Sequence, residues 1–169
     1  MDEAIRLLRA YWSEADVSFD SAHYKTVAMS MEPKPPQGGR LPIWIGGNSD
    51  AAYRRVGQYG DGWLASRVEG SVGGRQSIEA IRRHAEEAGR DPNAIGLQSM
   101  VAPPPRDAAG KTFYADHDAV LDRIASLKET GFGWVTLNAT AIFQAGARSV
   151  DAMAAELARL HDRIRAEVG

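Results

Sequence analysis

Pro42-Ile43-Trp44-Ile45-Gly46-Gly47-Asn48-Ser49 decides the fold: a short apolar run stops at two glycines and two capping residues, and Asp50 to Tyr59 behind it has helical character. A second apolar run, Gly62-Trp63-Leu64-Ala65, follows at once, so the segment reads strand, helix, strand. The rhythm continues downstream. Ile78, Ile81 and Ala85 recur at helical spacing within Arg75 to Ala88, Gly89 stops that helix, and Asp91-Pro92 turns the chain into a strand over Ile95 to Ala102. Val120, Leu121, Ile124 and Leu127 mark another helix from His117 to Thr130, stopped by Gly131, and Trp134-Val135-Thr136-Leu137 is the fourth strand. A last helix starts at the N-cap Ser149 and carries Val150, Met153, Leu157, Leu160, Ile164 and Val168.

Strands joined through helices must pair in parallel, because such a crossover cannot make a hairpin, and short continuous apolar runs belong to strands covered on both faces. Upstream, Ile5, Leu8 and Trp12 form one stripe of an amphipathic helix over Asp2 to Ser13. Val17-Ser18-Phe19 and Tyr24 to Val27 flank a turn at Asp20-Ser21-Ala22 as a small β-hairpin, and Pro33 to Gly39 excludes regular structure. The expected organisation is one α/β domain over 1–169, with a helix and hairpin arm over 1–40 and alternating strands and helices over 41–169. At 169 residues the chain is shorter than a complete TIM barrel of roughly 250 residues.

Composition narrows the function. A net charge of −2 with 25% charged residues offers no basic footprint for nucleic acid or an anionic membrane, which leaves a small-molecule substrate. The sequence contains no cysteine, so disulfides, thiolate metal sites and cysteine nucleophiles are excluded together. No apolar run approaches the roughly 20 residues of a membrane span, and Met1-Asp2-Glu3 is acidic where a secretion signal is basic; a cytoplasmic location is expected. His23, His84, His117 and His161 are scattered without metal spacing, so no metal is expected. Gly110-Lys111-Thr112 ends like a P-loop, but Pro105 holds the place of the motif's first glycine and has no N–H to offer.

Gly46, Gly47, Asn48 and Ser49 admit two readings. One is a tight turn with Asn48 or Ser49 as N-cap. The other is an anion site, in which the glycines aim backbone N–H groups at one point and the following helix adds its unpaired N-terminal N–H groups and dipole. Further features belong beside it. Asp61 precedes its strand and has a structural role, while Trp63 faces either the sheet's inner side or the helices. Arg67 follows the strand and is placed to meet a phosphate or carboxylate. Gly70 to Gly74 reads as a glycine-rich loop at the same end, with Phe143, Gln144 and Arg148 as lining candidates after the fourth strand.

Pro33-Lys34-Pro35 and Gln37, then Leu41 to Gly47, Ala51-Ala52-Tyr53-Arg54-Arg55 and Gly60-Asp61-Gly62-Trp63, in this order and spacing, resemble the luciferase-like monooxygenase superfamily. The hairpin with Tyr24 and the stretch Glu86 to Pro92 extend the resemblance over residues 1–137. It implies the four-stranded parallel C-terminal half of a (β/α)8 TIM barrel, an oxidoreductase or monooxygenase activity, and a loop at Gly46 to Ser49 that contacts the phosphate of FMN or coenzyme F420. Arg67 joins that cofactor-binding set. The Ile43-Trp44-Ile45-Gly46-Gly47 form is closer to the F420-using branch than to the bacterial luciferases, which ranks F420 ahead of FMN. The family's N-terminal half, which packs against the flavin or deazaflavin ring, has no counterpart here; the catalytic residues are therefore unknown, and Met1 reads as an internal start. A non-catalytic half-barrel that binds cofactor or serves structurally is the alternative. Four strands leave two edges and an open face, from which a homodimer or a partner completing the barrel is expected.

Overall fold

The computed structural model describes residues 1–66, 70–102, 110 and 112–169. Helix α1 (Asp2–Ser13) leads into the antiparallel hairpin of β1 (Val17–Asp20) and β2 (Lys25–Met29), which forms a two-stranded sheet of its own. Then come β3 (Trp44–Gly46), α2 (Asp50–Tyr59), β4 (Gly62–Ala65), α3 (Gly70–Glu87), β5 (Gly96–Met100), α4 (His117–Thr130), β6 (Trp134–Thr136), α5 (Ala139–Gln144) and α6 (Val150–Glu167). The four later strands pair in parallel in the order β3-β4-β5-β6. Sequential order with crossovers of one hand places all the connecting helices on one face of the sheet, as in half a closed barrel. The expected α/β half-barrel with its helix and hairpin arm is what the chain forms.

Strand parity separates the two faces. Ile45, Trp63 and Leu97 point to the helices and join Val56, Ile81, Val120, Ile124 and Leu127 in the core. Trp63 is buried there, with its ring edge-on to Tyr53 at 5.4 Å and tilted against Phe132 at 5.7 Å. The residues of opposite parity, Trp44, Leu64, Gln98, Met100, Trp134 and Thr136, lie on the inner face. Trp134 is 64% and Leu64 42% exposed, so this apolar face is open.

The strand beginnings are tied by Asp61. Its Oδ2 accepts from Arg9 Nη2 at 2.6 Å and from the Ile43 N–H at 2.7 Å, while its own N–H donates to Ile43 O at 2.8 Å. Gly96 N–H adds a bond to Asp61 O at 2.9 Å. The position before β4 therefore has the structural role expected of it.

One expectation needs correction. Gly70 to Gly74 is the start of α3 rather than a loop: Ser77 Oγ lies 2.9 Å from both Gly73 O and Tyr53 OH, a bridge that holds this glycine-rich turn to α2. The segment after β6 contains α5, whose N-cap Asn138 accepts through Oδ1 from Thr140 N at 3.0 Å and Ala141 N at 3.3 Å. Among the described residues, no hydrogen-bonded strand covers either edge of the larger sheet. No described helix is long and apolar enough to cross a membrane.

Candidate functional site

The loop between β3 and α2 is fixed by three local features. Gly47 has φ +116°, a conformation that L side chains rarely adopt, and a Cβ there would lie 3.0 Å from Ala52 Cβ. Its carbonyl accepts from Trp63 Nε1 at 2.8 Å, so a core residue of β4 pins the turn. Ser49 then caps α2: its Oγ accepts from Ala52 N at 3.3 Å and its carbonyl from Tyr53 N at 2.9 Å. Gly46, Gly47, Asn48 and Ser49 are all exposed at the strand's C-terminal end. A Cβ on Gly46 would meet only Leu64 O, at 3.8 Å, which leaves the space above the loop open. The first N–H groups of α2 have no partner within the helix and point to this end. Asp50, whose carboxylate lies at the same helix start, is directed to His84 Nε2 at 3.6 Å.

Around the same end of the sheet stand residues that sequence reading did not single out. Tyr114 is buried; its hydroxyl donates to Val101 O at 2.6 Å and accepts from Asn138 N at 3.0 Å, a chain that sets α5 against the ends of β5 and β6. Burial pushes the Tyr114 phenol up and keeps it a donor. Gln98 Nε2 donates to Thr136 Oγ1 on the inner face. That pair had a signal, since Gln98 and Thr136 are polar and share the strand parity of Gly96 and Trp134. Tyr114 had none, because its partners lie on other elements.

Of the lining candidates, Phe143 is half-exposed with Arg148 Cζ 4.9 Å above its ring, and Gln144 ends α5. Arg67, Pro105 and Lys111 lie outside the described residues. Among the described residues no three His, Asp or Glu side chains come together as a metal site. His23 pairs with Glu3, His84 with Glu87 and His117 with Glu156.

Comparison with known proteins gives the family. Residues 1–164 match the family model for luciferase-like monooxygenases. The chain is 33% identical over 94 residues to an F420-dependent glucose-6-phosphate dehydrogenase of Gordonia bronchialis, covering 55% of this chain and 27% of that enzyme. It is 27% identical over 139 residues to a phthiodiolone/phenolphthiodiolone dimycocerosates ketoreductase of Mycobacterium kansasii, covering 79% of this chain and 36% of the relative. The fold is shared with an F420-dependent secondary alcohol dehydrogenase solved with an F420-acetone adduct, at a TM-score of 0.68 and 16% identity over 89% of this chain and 60% of that one. The matched segments are thus only 27% and 36% of the length of these curated relatives.

Proposed function

Because the chain belongs to the luciferase-like monooxygenase family, we propose that it provides the cofactor-anchoring half of an F420- or flavin-dependent oxidoreductase, holding the cofactor phosphate at Gly46, Gly47, Asn48 and Ser49. The observation that carries this reading is the pinned loop. Gly47 in its positive-φ conformation, the open space over Gly46 and the helix that starts after Ser49 support it, because a glycine turn before a helix N-terminus suits an anion. F420 ranks ahead of FMN because named relatives are F420-dependent. When bound, such a cofactor supplies the hydride or oxygen chemistry. The chain's own part is to hold the phosphate and to present Gln98 and Thr136 on the inner face toward a small-molecule substrate. Arg67, by sequence position, is assigned to the same phosphate or to a substrate carboxylate. In this reading 1–169 acts as one domain.

Gly46→Asp is the sharpest test, since a side chain there meets no steric block yet brings a negative charge to the cradle. Titration followed by fluorescence is expected to show FMN and F420 weakened at least about tenfold, with phosphate-free riboflavin unaffected. Equal affinity of wild type and variant for FMN would remove the loop from the site.

A second reading is favoured by the exposed Leu64 and Trp134: a non-catalytic half-barrel whose inner face is covered by a second copy of the chain. Failure of FMN, FMNH2 and F420 all to bind would select it.

A further inference from the structure

A cavity of about 420 Å³ opens at the opposite end of the sheet from the Gly46 loop, between α1, the turn at Gly39 and Arg40, the end of α2 and Arg90. Its lining includes four arginines, Arg6, Arg9, Arg40 and Arg90, and one acidic residue, Asp61. Two of the four are committed to the fold. Arg9 donates to Gly39 O at 2.6 Å and to Asp61 Oδ2 at 2.6 Å. Arg90 donates to Gly57 O at 2.6 Å and to Gly60 O at 2.7 Å, with Asp61 Oδ1 3.9 Å away. These bonds occupy the carbonyls at the end of α2 and neutralise Asp61 once. The exposed Arg6 and Arg40 side chains make no hydrogen bond or ion pair among the described residues, although both residues line the cavity. Gln58 also lines it; its Oε1 is used by Arg54 at 2.6 Å, which leaves its amide N–H groups as donors.

Like charges crowded around a cavity raise the energy of the empty site and lower it when an anion enters, because the guanidinium groups present fixed forks of donors to oxyanions. The volume exceeds that of a single water, about 30 Å³, many times over, so a polyatomic ligand fits. We infer that this cavity is a second binding site, for a small oxyanion with two or more negative charges, clamped by Arg6 and Arg40 with Arg9 and Arg90 behind them. Occupation ties α1 to the strand beginnings and stabilises the fold from the end remote from the proposed cofactor loop.

The test is thermal unfolding of the full chain with pyrophosphate or citrate, against sodium chloride at matched ionic strength. A saturable rise in Tm with either oxyanion is expected, with one equivalent bound by calorimetry; pyrophosphate alone would identify a phosphate ligand, citrate alone a polycarboxylate. Arg6→Gln and Arg40→Gln should each weaken binding about tenfold, and the double variant should lose the rise. Without oxyanion the double variant should be no less stable than the wild type, since repulsion is relieved and no bond is lost. Gly46→Asp should keep the full response. A chloride response equal to the oxyanion response, no response at all, or an undiminished response in the double variant would overturn the inference. Loss of the response in Gly46→Asp alone would also overturn it and would place the anion at the cofactor loop.

Discussion

At Gly62 a methyl group would meet Trp44 Cδ2 at 2.3 Å, and at Gly96 it would meet Trp44 Cη2 at 2.4 Å. Trp44 therefore lies flat across two neighbouring strands, and two glycines exist there to make room for it. The Trp134 ring stands edge-on to it at 6.4 Å. Gly62→Ala should force the indole off the sheet and cost about 1–3 kcal/mol, the usual penalty of overpacking. Combined with Trp44→Ala, the same change should cost close to nothing, because the clash is gone. Urea unfolding of the two single variants and the double variant measures the coupling; equal cost of Gly62→Ala in both backgrounds would mean that Trp44 does not constrain this glycine. The sequence signals Gly60-Asp61-Gly62-Trp63 as a unit, yet the partner of Gly62 is Trp44, on another strand, and no spacing along the chain reveals that.

Between elements, Asp2 joins α1 to α2. Its Oδ2 accepts from Arg54 Nη2 at 2.7 Å and its Oδ1 from Arg55 Nε at 2.6 Å. The hydrogen bond from Arg54, then that from Arg55, holds the Asp2 carboxyl down from 3.8 to about 2. A depressed folded-state pKa contributes stability that is complete above the unfolded value and disappears as pH falls through the folded one. Stability tied to Asp2 should accordingly decline between pH 3.8 and about 2. Asp2→Asn should lower stability at neutral pH by about 1 kcal/mol after solvent screening and flatten that part of the profile. Equilibrium unfolding at a series of pH values checks both, and an unchanged acid limb in Asp2→Asn would remove Asp2 from it. The elements themselves were readable wherever a period had room to repeat. The stripe of α4, the helical character of Asp50 to Tyr59, the cap at Ser149 and the stop at Gly131 agree with the structure; of the two cap candidates for α2 Ser49 is the one used, and the α1 stripe holds at Ile5 while Leu8 is exposed. Two elements escaped for opposite reasons. The six residues of α5 are too few to display a 3.6-residue repeat. The first turns of α3 carry glycines that argue against helix, and the contact that holds them, Ser77 with Tyr53 and Gly73, is tertiary. The candidate site divides in the same way: the turn at Gly46 to Ser49 declares itself by local backbone chemistry, whereas Tyr114 acquires its place only through Val101 and Asn138.

For the molecule as a whole, the unsolved problem is the inner face. Helices cover one side of the sheet, and the core residues Val56, Trp63, Ile81 and Val120 are buried against it. The other side offers Trp44, Leu64, Gln98, Met100, Trp134 and Thr136, a set without a single charge, and both β3 and β6 have one unpaired edge within this sheet. Natural sheets guard such edges and faces with charges, bulges or covering elements, because an apolar face between unpaired strands recruits another chain. A second copy related by a two-fold axis meets the requirement, since the same face then serves both partners and the edges of one sheet lie beside those of the other. On the second-copy reading, sedimentation of the 169-residue chain should show a dimer. Leu64→Lys with Trp134→Lys should convert it to a monomer, because two ammonium groups on each copy would be buried without partners. Those substitutions leave the helix-facing core untouched, so helical content should persist while the dimer is lost. A wild-type chain that sediments as a monomer throughout the micromolar range would defeat the second-copy reading and leave the face to be covered by additional polypeptide instead.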